Sequence, residues 1–247
     1  MKKGAIHIGT SGWSYKHWKG IYYPNALAST KWLSYYASQF HISEINNSFY
    51  RLPKPTTVKK WMDEVPPGFL FCPKMSRYLT QYKKLNDPEE ALARFFNVFE
   101  PMQVKMGPIL VQLPPLLAYH YDKTDHFFAV LKSNYAQFQF ALEIRHYSWL
   151  EDEPIALMKK YNIAFVISQS KDHFPYAEHV TSPHVYVRFH GPGALYASAY
   201  TNEQLQYYSK LFLQWKKEGK QVYAFFNNDV NGHAFHDAQK LIDLVTY

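Results

Sequence analysis

The feature that most constrains this chain is an alternation that runs through its whole length. Eight short apolar segments, rich in β-branched and aromatic residues, lie near 6–9, 42–46, 69–73, 109–113, 138–145, 163–167, 185–190 and 222–226. Helical periodicity fills most of the intervals, near 29–40, 56–64, 88–105, 123–133, 154–161, 201–218 and 234–245, and only 171–181 lacks it. Strands that alternate with helices pair in parallel through crossover connections. Eight such units in 247 residues predict an α/β fold: a single (β/α)8 TIM-like barrel, its closed parallel sheet surrounded by helices. An open doubly wound sheet is the alternative. No Gly/Ser linker, charge block or low-complexity tract marks a boundary, so residues 1–247 read as one domain.

The apolar segments also share an ending. They close in polar residues, as in Glu44-Ile45-Asn46, Cys72-Pro73-Lys74, Val111-Gln112, Glu143-Ile144-Arg145, Arg188-Phe189-His190 and Phe226-Asn227-Asn228. Side chains two apart on a strand share a face. Parity therefore sends Ala141, Glu143 and Arg145 one way and Leu142 and Ile144 the other, and it groups Arg188 with His190, Glu44 with Asn46, and Cys72 with Lys74. In a barrel the first set lines the mouth at the C-terminal strand ends, where such folds carry their chemistry.

Collected by this rule, the mouth holds the carboxylates Glu44 and Glu143, the cations Lys74, Arg145 and Arg188, the imidazoles His146 and His190, and the amides Asn46, Gln112, Asn227 and Asn228. Asp229 follows in the adjoining loop. Buried ion pairs stabilise little on balance, because desolvation offsets most of the attraction. Repeated charge at a barrel mouth therefore points to ligand recognition, with mutual cancellation as a structural scaffold the plain alternative. Arginine forks and a lysine ammonium suit a phosphate or carboxylate, while carboxylates and amides suit hydroxyls. Glu143 and His190 are the expected proton-transfer pair, with Glu44 as a further catalytic candidate, for a hydrolase, isomerase or lyase using general acid/base chemistry. Lys74 could act as a Schiff-base amine, although a carboxylate partner would keep it a plain binding cation. No resident cofactor is expected. A divalent metal, zinc or manganese, is the weaker alternative, since three fixed cations would repel it and only two carboxylates oppose them.

A net charge of +7 favours anionic partners. Nucleic acid is one candidate, because aromatics in the segments after the strands (Trp13, Tyr15 and Trp18; Phe49 and Tyr50; Tyr78 and Tyr82; Tyr147 and Trp149) stand near Arg51, Arg77, Lys83 and Lys84. A single cysteine, Cys72, excludes an internal disulfide, and no apolar run reads as a signal peptide or membrane span. The expectation is a cytoplasmic protein without a membrane partner.

The run Ile8-Gly9-Thr10-Ser11-Gly12-Trp13-Ser14-Tyr15 with Trp18 and Gly20, then Tyr23-Pro24, Tyr35-Tyr36-Ala37, Glu44-Ile45-Asn46 and Phe49-Tyr50-Arg51-Leu52-Pro53, resembles the opening of the YecE-like family, domain of unknown function 72. The likeness continues through Lys74 with Arg77 and Thr80, Gly107-Pro108, Gln112-Leu113-Pro114-Pro115, Glu143-Ile144-Arg145-His146 with Ser148-Trp149, Tyr186-Val187-Arg188 with His190-Gly191, and Tyr223 with Phe226-Asn227-Asn228-Asp229. It runs over 5–245. It implies a TIM-like barrel and no established activity; a fold shared with metal-dependent apurinic endonucleases and sugar isomerases suggests chemistry only by analogy. Two positions depart from the resemblance: Gln81 stands where a histidine usually follows the threonine, and Ser168-Gln169 where the sixth strand usually closes in aspartate. Both changes weaken a metal or acid/base mechanism and favour binding over turnover.

The leading expectation is thus an anionic, hydroxyl-bearing small molecule, of phosphorylated-sugar or nucleotide type, bound at the barrel mouth. A phosphodiesterase-like nucleic-acid binder and an inert interaction scaffold are the rivals.

Overall fold

The computed structural model describes residues 3–246. Its strands are β1 (Ala5–Thr10), β2 (Ile42–Ile45), β3 (Leu70–Pro73), β4 (Ile109–Gln112), β5 (Phe140–Glu143), β6 (Ala164–Gln169), β7 (His184–Phe189) and β8 (Gln221–Phe226). All ladders are parallel, in the order β3-β2-β1-β8-β7-β6-β5-β4. Isolated bridges Phe71↔Met106 and Lys74↔Leu110 close the remaining seam between the third and fourth strands. The result is a (β/α)8 TIM-like barrel, as the alternation requires.

The α-helices are α1 (Trp32–Ala37), α2 (Asn47–Tyr50), α3 (Pro55–Glu64), α4 (Pro88–Phe99), α5 (Tyr121–Asn134), α6 (Asp152–Tyr161), α7 (Asn202–Lys217) and α8 (His233–Thr246). Two of them are shorter than the periodicity suggests. The helix expected over 29–40 opens as a 3-10 turn, and the Ser38 hydroxyl turns back on the Tyr35 carbonyl at 2.7 Å just past its end. That bond offers the backbone an alternative to continuing the helix. The helix expected over 88–105 stops at Phe99 and continues as a 3-10 segment, because Pro101 lacks an N–H and crowds the preceding turn. Between β6 and β7 the chain crosses without a helix, where the pattern predicts none. No described helix is long and apolar enough to cross a membrane.

Parity sorts the side chains into two cores. Ile45, Phe71, Val111, Leu142, Phe165, Val187 and Phe226 pack outward against the helices. Ile42, Cys72, Leu110, Ala141, Val166, Tyr186, Tyr223 and Phe225 fill the barrel axis as a separate apolar cluster. With both faces covered, the strands read as nearly continuous apolar runs. The inner cluster plugs the barrel from below, so the polar strand ends above it form the floor of an open mouth.

The weakest ladder joins β1 to β2, with one register pair, Thr10↔Ser43. A Cβ on Gly9 would lie 2.2 Å from the Ile42 carbonyl oxygen, so only glycine allows this approach. Tyr36, from α1, completes the seam: its buried hydroxyl accepts from the Thr10 N–H at 2.9 Å and donates to the Ile42 carbonyl at 3.0 Å. Tyr36→Phe strands both backbone groups and should lower the unfolding free energy by about 1–3 kcal/mol. Urea unfolding should show an earlier midpoint with an unchanged slope, and an unmoved midpoint would show that the seam is held by other contacts.

Candidate functional site

Each strand delivers at least one polar side chain to the top of the inner core, among them Ser11 after β1, Glu44 on β2, Lys74 after β3, Gln112 on β4, Glu143 on β5, Ser168 on β6, Arg188 on β7 and Asn227 after β8. Their centre is Arg188, which is 1% exposed. Its guanidinium forks onto Glu44, Nε to Oε2 and Nη2 to Oε1, both at 2.9 Å, while Nη1 reaches Glu143 Oε2 at 2.6 Å. One side chain thereby ties opposite walls of the barrel together.

Both carboxylates are otherwise fully engaged. Glu44 also accepts from Ser11 Oγ at 2.7 Å and from Tyr186 OH at 2.8 Å. Glu143 also accepts from Arg145 Nη2 at 2.7 Å and Ser168 Oγ at 3.0 Å, with His190 Nε2 at 3.0 Å. Burial by itself would raise the Glu143 carboxyl, yet the Arg145 and Arg188 guanidiniums and His190 hold it well below the usual carboxylate range. Burial pushes His190 down to about 3, so near neutral pH its imidazole is uncharged. A neutral ring fits its surroundings: Nε2–H faces Glu143, and Nδ1 accepts from Asn227 Nδ2 at 3.1 Å.

Lys74 is different. Its backbone is pinned on both sides, N–H to the Ile45 carbonyl at 3.1 Å and C=O to Ser48 Oγ at 2.7 Å. The side chain passes over the Phe49 ring, and Nζ donates to Gln112 Oε1 at 2.9 Å. Among the described residues no carboxylate oxygen lies within 4.0 Å of it. Burial and the nearby Arg188 outweigh Glu143 and Glu44 and bring its ammonium down to about 7. Gln112 Oε1 also receives Arg145 Nη2 at 3.3 Å and Arg188 Nη1 at 3.5 Å, so three cationic groups converge on one neutral oxygen.

Above this floor lies a cavity of about 590 Å³ lined by Glu44, Asn46, Lys74, Gln112, Arg188 and Asn227 together with Trp13, Tyr15, Phe49, Tyr196 and Asp229. Asn46 donates to the Ser11 carbonyl at 3.0 Å, and its Oδ1 is buried without a partner. Arg145 lies beneath the wall, stacked 3.3 Å from the Phe174 ring centroid, with a buried and unpartnered Nη1. Five sequence candidates stand outside the lining: Glu143, Arg145 and His190 belong to the buried network, and His146 and Asn228 serve the loops. His146 Nδ1 accepts from the Ser148 N–H at 3.2 Å and caps the following turn, and Asn228 donates to Asp237 and to the Ser198 carbonyl, both at 2.9 Å, tying the loop after β7 to α8. The described residues contain no cluster of three His, Cys, Asp or Glu side chains arranged to hold a metal.

Sequence reasoning missed Ser11, Tyr186, Tyr196 and Phe174. Parity does reach Tyr186, two residues before Arg188. Phe174 and Tyr196 sit in irregular segments after β6 and β7, where no periodicity assigns a direction. Gln81 and Gln169, set apart in the sequence by the resemblance, also find partners: Gln81 Nε2 donates to the Gln112 carbonyl at 3.1 Å, and Gln169 receives the Tyr200 hydroxyl. Of the aromatics expected around the mouth, Trp18 and Trp149 are buried in the core, whereas Tyr50, Tyr78, Tyr82 and Tyr147 are exposed.

A family model described as "Protein of unknown function DUF72" matches residues 7–247. The UPF0759 protein YunF of Bacillus subtilis (strain 168) is 24% identical over 273 residues, covering 97% of this chain and 94% of that protein. The UPF0759 protein YecE of Escherichia coli (strain K12) is 28% identical over 142 residues, or 57% of this chain and 48% of the relative. Among solved structures, a DUF72 family protein of Thermotoga maritima superposes with a TM-score of 0.86 at 27% identity, covering 98% of this chain and 99% of that one. A DUF72 family protein of Enterococcus faecalis shares the fold, with a TM-score of 0.84 at 21% identity over 98% and 96% of the two chains.

Arg188→Met leaves two buried carboxylates without their main counter-ion and should cost about 3–5 kcal/mol of stability. Urea denaturation reads this loss, and a change below about 1 kcal/mol would mean that the carboxylates are neutral or solvated. The site also predicts acid sensitivity. Unfolded His190 takes up a proton near 6.5, whereas the folded protein resists it down to about 3, so the unfolded state binds more protons across that window and stability falls with falling pH. His190→Gln should flatten the decline between pH 6.5 and pH 4 measured by the same method.

Proposed function

The chain belongs to the DUF72 family, and we propose that it binds an anionic, hydroxyl-bearing small molecule, of phosphorylated-sugar or nucleotide type, in the C-terminal mouth of its barrel. The observation that carries the reading is the convergence of Lys74, Arg145 and Arg188 on Gln112 Oε1 above only two carboxylates. While Asp229 lines the cavity beside His17, three cations against the two carboxylates of the network leave the floor short of negative charge when Lys74 is protonated. A phosphate or carboxylate of the ligand supplies it. Lys74 is the cation that meets the ligand; Arg188 and Arg145 keep the surrounding field positive while their own bonds are largely taken by glutamates. The unpartnered Asn46 Oδ1 accepts from a ligand hydroxyl, and Asn227 offers a second polar contact. The cavity volume is in the range of small-molecule sites.

In this reading Glu44, Glu143 and His190 position the cations rather than shuttle protons. A carboxylate held below its ordinary range by two guanidiniums is a poor proton donor, and an imidazole with both nitrogens bonded and its basicity suppressed is a poor acceptor. Binding is thus the primary role of the mouth. His146 and Asn228 support the loops.

The test is a thermal-shift and titration-calorimetry screen with sugar phosphates, nucleotides and inorganic phosphate. A ligand at about 100 times its Kd should stabilise by about 2.7 kcal/mol, and Lys74→Met should abolish the shift. Binding should take up protons above pH 7, because the anion restores the Lys74 ammonium, and affinity should therefore fall as pH rises past that point. The absence of any stabilising anion would leave the inert scaffold as the better account. A second reading, nucleic-acid binding, draws on the exposed rim, where Arg77 lies between the Tyr50 and Tyr82 rings at 5.6 and 5.8 Å. A steep loss of affinity with salt for oligonucleotides, insensitive to Lys74→Met, would favour it.

A further inference from the structure

We propose that Lys74 is a carbonyl-reactive amine, and that the ligand of this mouth is an anionic aldehyde or ketone held there as a reversible Schiff base. This rests on the anion-binding reading and adds to it the chemical class of the ligand.

The arrangement around Nζ is unlike that of a lysine placed only to bind charge. A cation meant for anchoring is ordinarily met by a carboxylate, and here both carboxylates are spent on Arg188 and Arg145. Lys74 receives a neutral amide oxygen instead, at 2.9 Å, and an aromatic face whose centroid lies 4.1 Å from Nζ. An uncharged amine satisfies the amide oxygen, whereas the Phe49 face favours the ammonium. The amine donates one N–H to Gln112 Oε1 and keeps its lone pair. The residue lines the cavity yet is only 8% exposed, so water competes little for that lone pair. Its backbone bonds to Ile45 and Ser48, with the bridge to Leu110, fix the point from which the side chain departs.

The charged groups facing Nζ pull in opposite directions, and the balance falls toward the free amine. Arg188 and Arg145 disfavour a third positive charge, Glu143 and Glu44 favour it but are shared with the guanidiniums, and burial adds to the arginines. The balance leaves a substantial share of free amine at neutral pH. Desolvation beside other cations is an established physical route to a nucleophilic lysine. The arginines then serve a second purpose. They attract the anionic group of the incoming carbonyl compound and hold it near the amine, which is the proximity that an amine–carbonyl condensation needs.

The step balances without an external oxidant or reductant. The Nζ lone pair attacks the carbonyl carbon, the C=O π pair moves to oxygen, and a proton passes from Nζ to that oxygen to give a neutral carbinolamine. Loss of the hydroxyl as water, with loss of an N–H proton, leaves a C=N bond to Lys74. Hydrolysis reverses it.

The experiment incubates the full chain with pyridoxal 5′-phosphate, an anionic aldehyde whose imine absorbs in the visible, followed by borohydride reduction and peptide mapping. The expected result is one adduct per chain on Lys74, saturable and displaced by inorganic phosphate. Lys74→Arg, which cannot form the imine, should lose the adduct, whereas Lys210→Arg, on the exposed face of α7, should leave both the adduct and phosphate binding unchanged. Modification spread over surface lysines, or an adduct unaffected by Lys74→Arg, overturns the proposal. Phosphate binding by the wild-type chain without any adduct on Lys74 also overturns it while leaving the anion site standing. Failure of both phosphate binding and adduct formation removes the anion site as well.

Discussion

Everything in the mouth depends on one buried guanidinium. Arg188 satisfies Glu44 through a two-point fork and Glu143 through a third bond, and those glutamates come from strands on different sides of the cylinder. A charge removed from water is tolerable only when its partners meet it in good geometry and their remaining lone pairs are also filled. That condition explains the surrounding ring. Ser11, Tyr186, Ser168, Arg145 and His190 are the groups that complete the two carboxylates. None of them needs to touch a ligand to matter.

Saturation of the floor decides what remains available above it. Once the arginines and glutamates have consumed one another, the mouth presents Lys74, Gln112, Asn46 and Asn227, a set that is polar and lightly charged. Gln112 is the hinge between the two layers, because its side-chain oxygen takes all three cationic donors while its backbone carbonyl is held by Gln81. The glutamine at position 81 thus stabilises the residue that orients Lys74. Positions 81 and 168–169 carry neutral hydrogen-bonding groups, each with a partner in the fold.

Much of this could be read from residue order. Parity along β5 and β7 places Glu143 with Arg145 and Arg188 with His190 on the axial face, and the structure puts all four within one network. Where backbone geometry is not periodic, reading failed. His146 follows Arg145 directly but begins a turn, and Asn228 begins the loop toward α8, so neither inherits a direction from its strand. Phe174 reaches Arg145 from the one crossover that lacks a helix, and no local pattern announces that contact. Helix ends behaved likewise: Pro101 marks a break within its own sequence, whereas the early end of α1 depends on a serine hydroxyl turning back on the chain.

The amino-acid order by itself determined the barrel and the ring of polar strand ends, because a two-residue repeat and a strand–helix alternation are local properties that survive projection onto a line. It could not determine which of those polar ends would neutralise one another. That choice rests on distances across the barrel, between residues more than a hundred positions apart, such as the 2.9 Å from Arg188 to Glu44. Tertiary closure alone paired the arginines with both glutamates and left Lys74 with a neutral amide oxygen in place of a carboxylate, and in a desolvated interior Coulomb interactions make that difference of a few ångströms large.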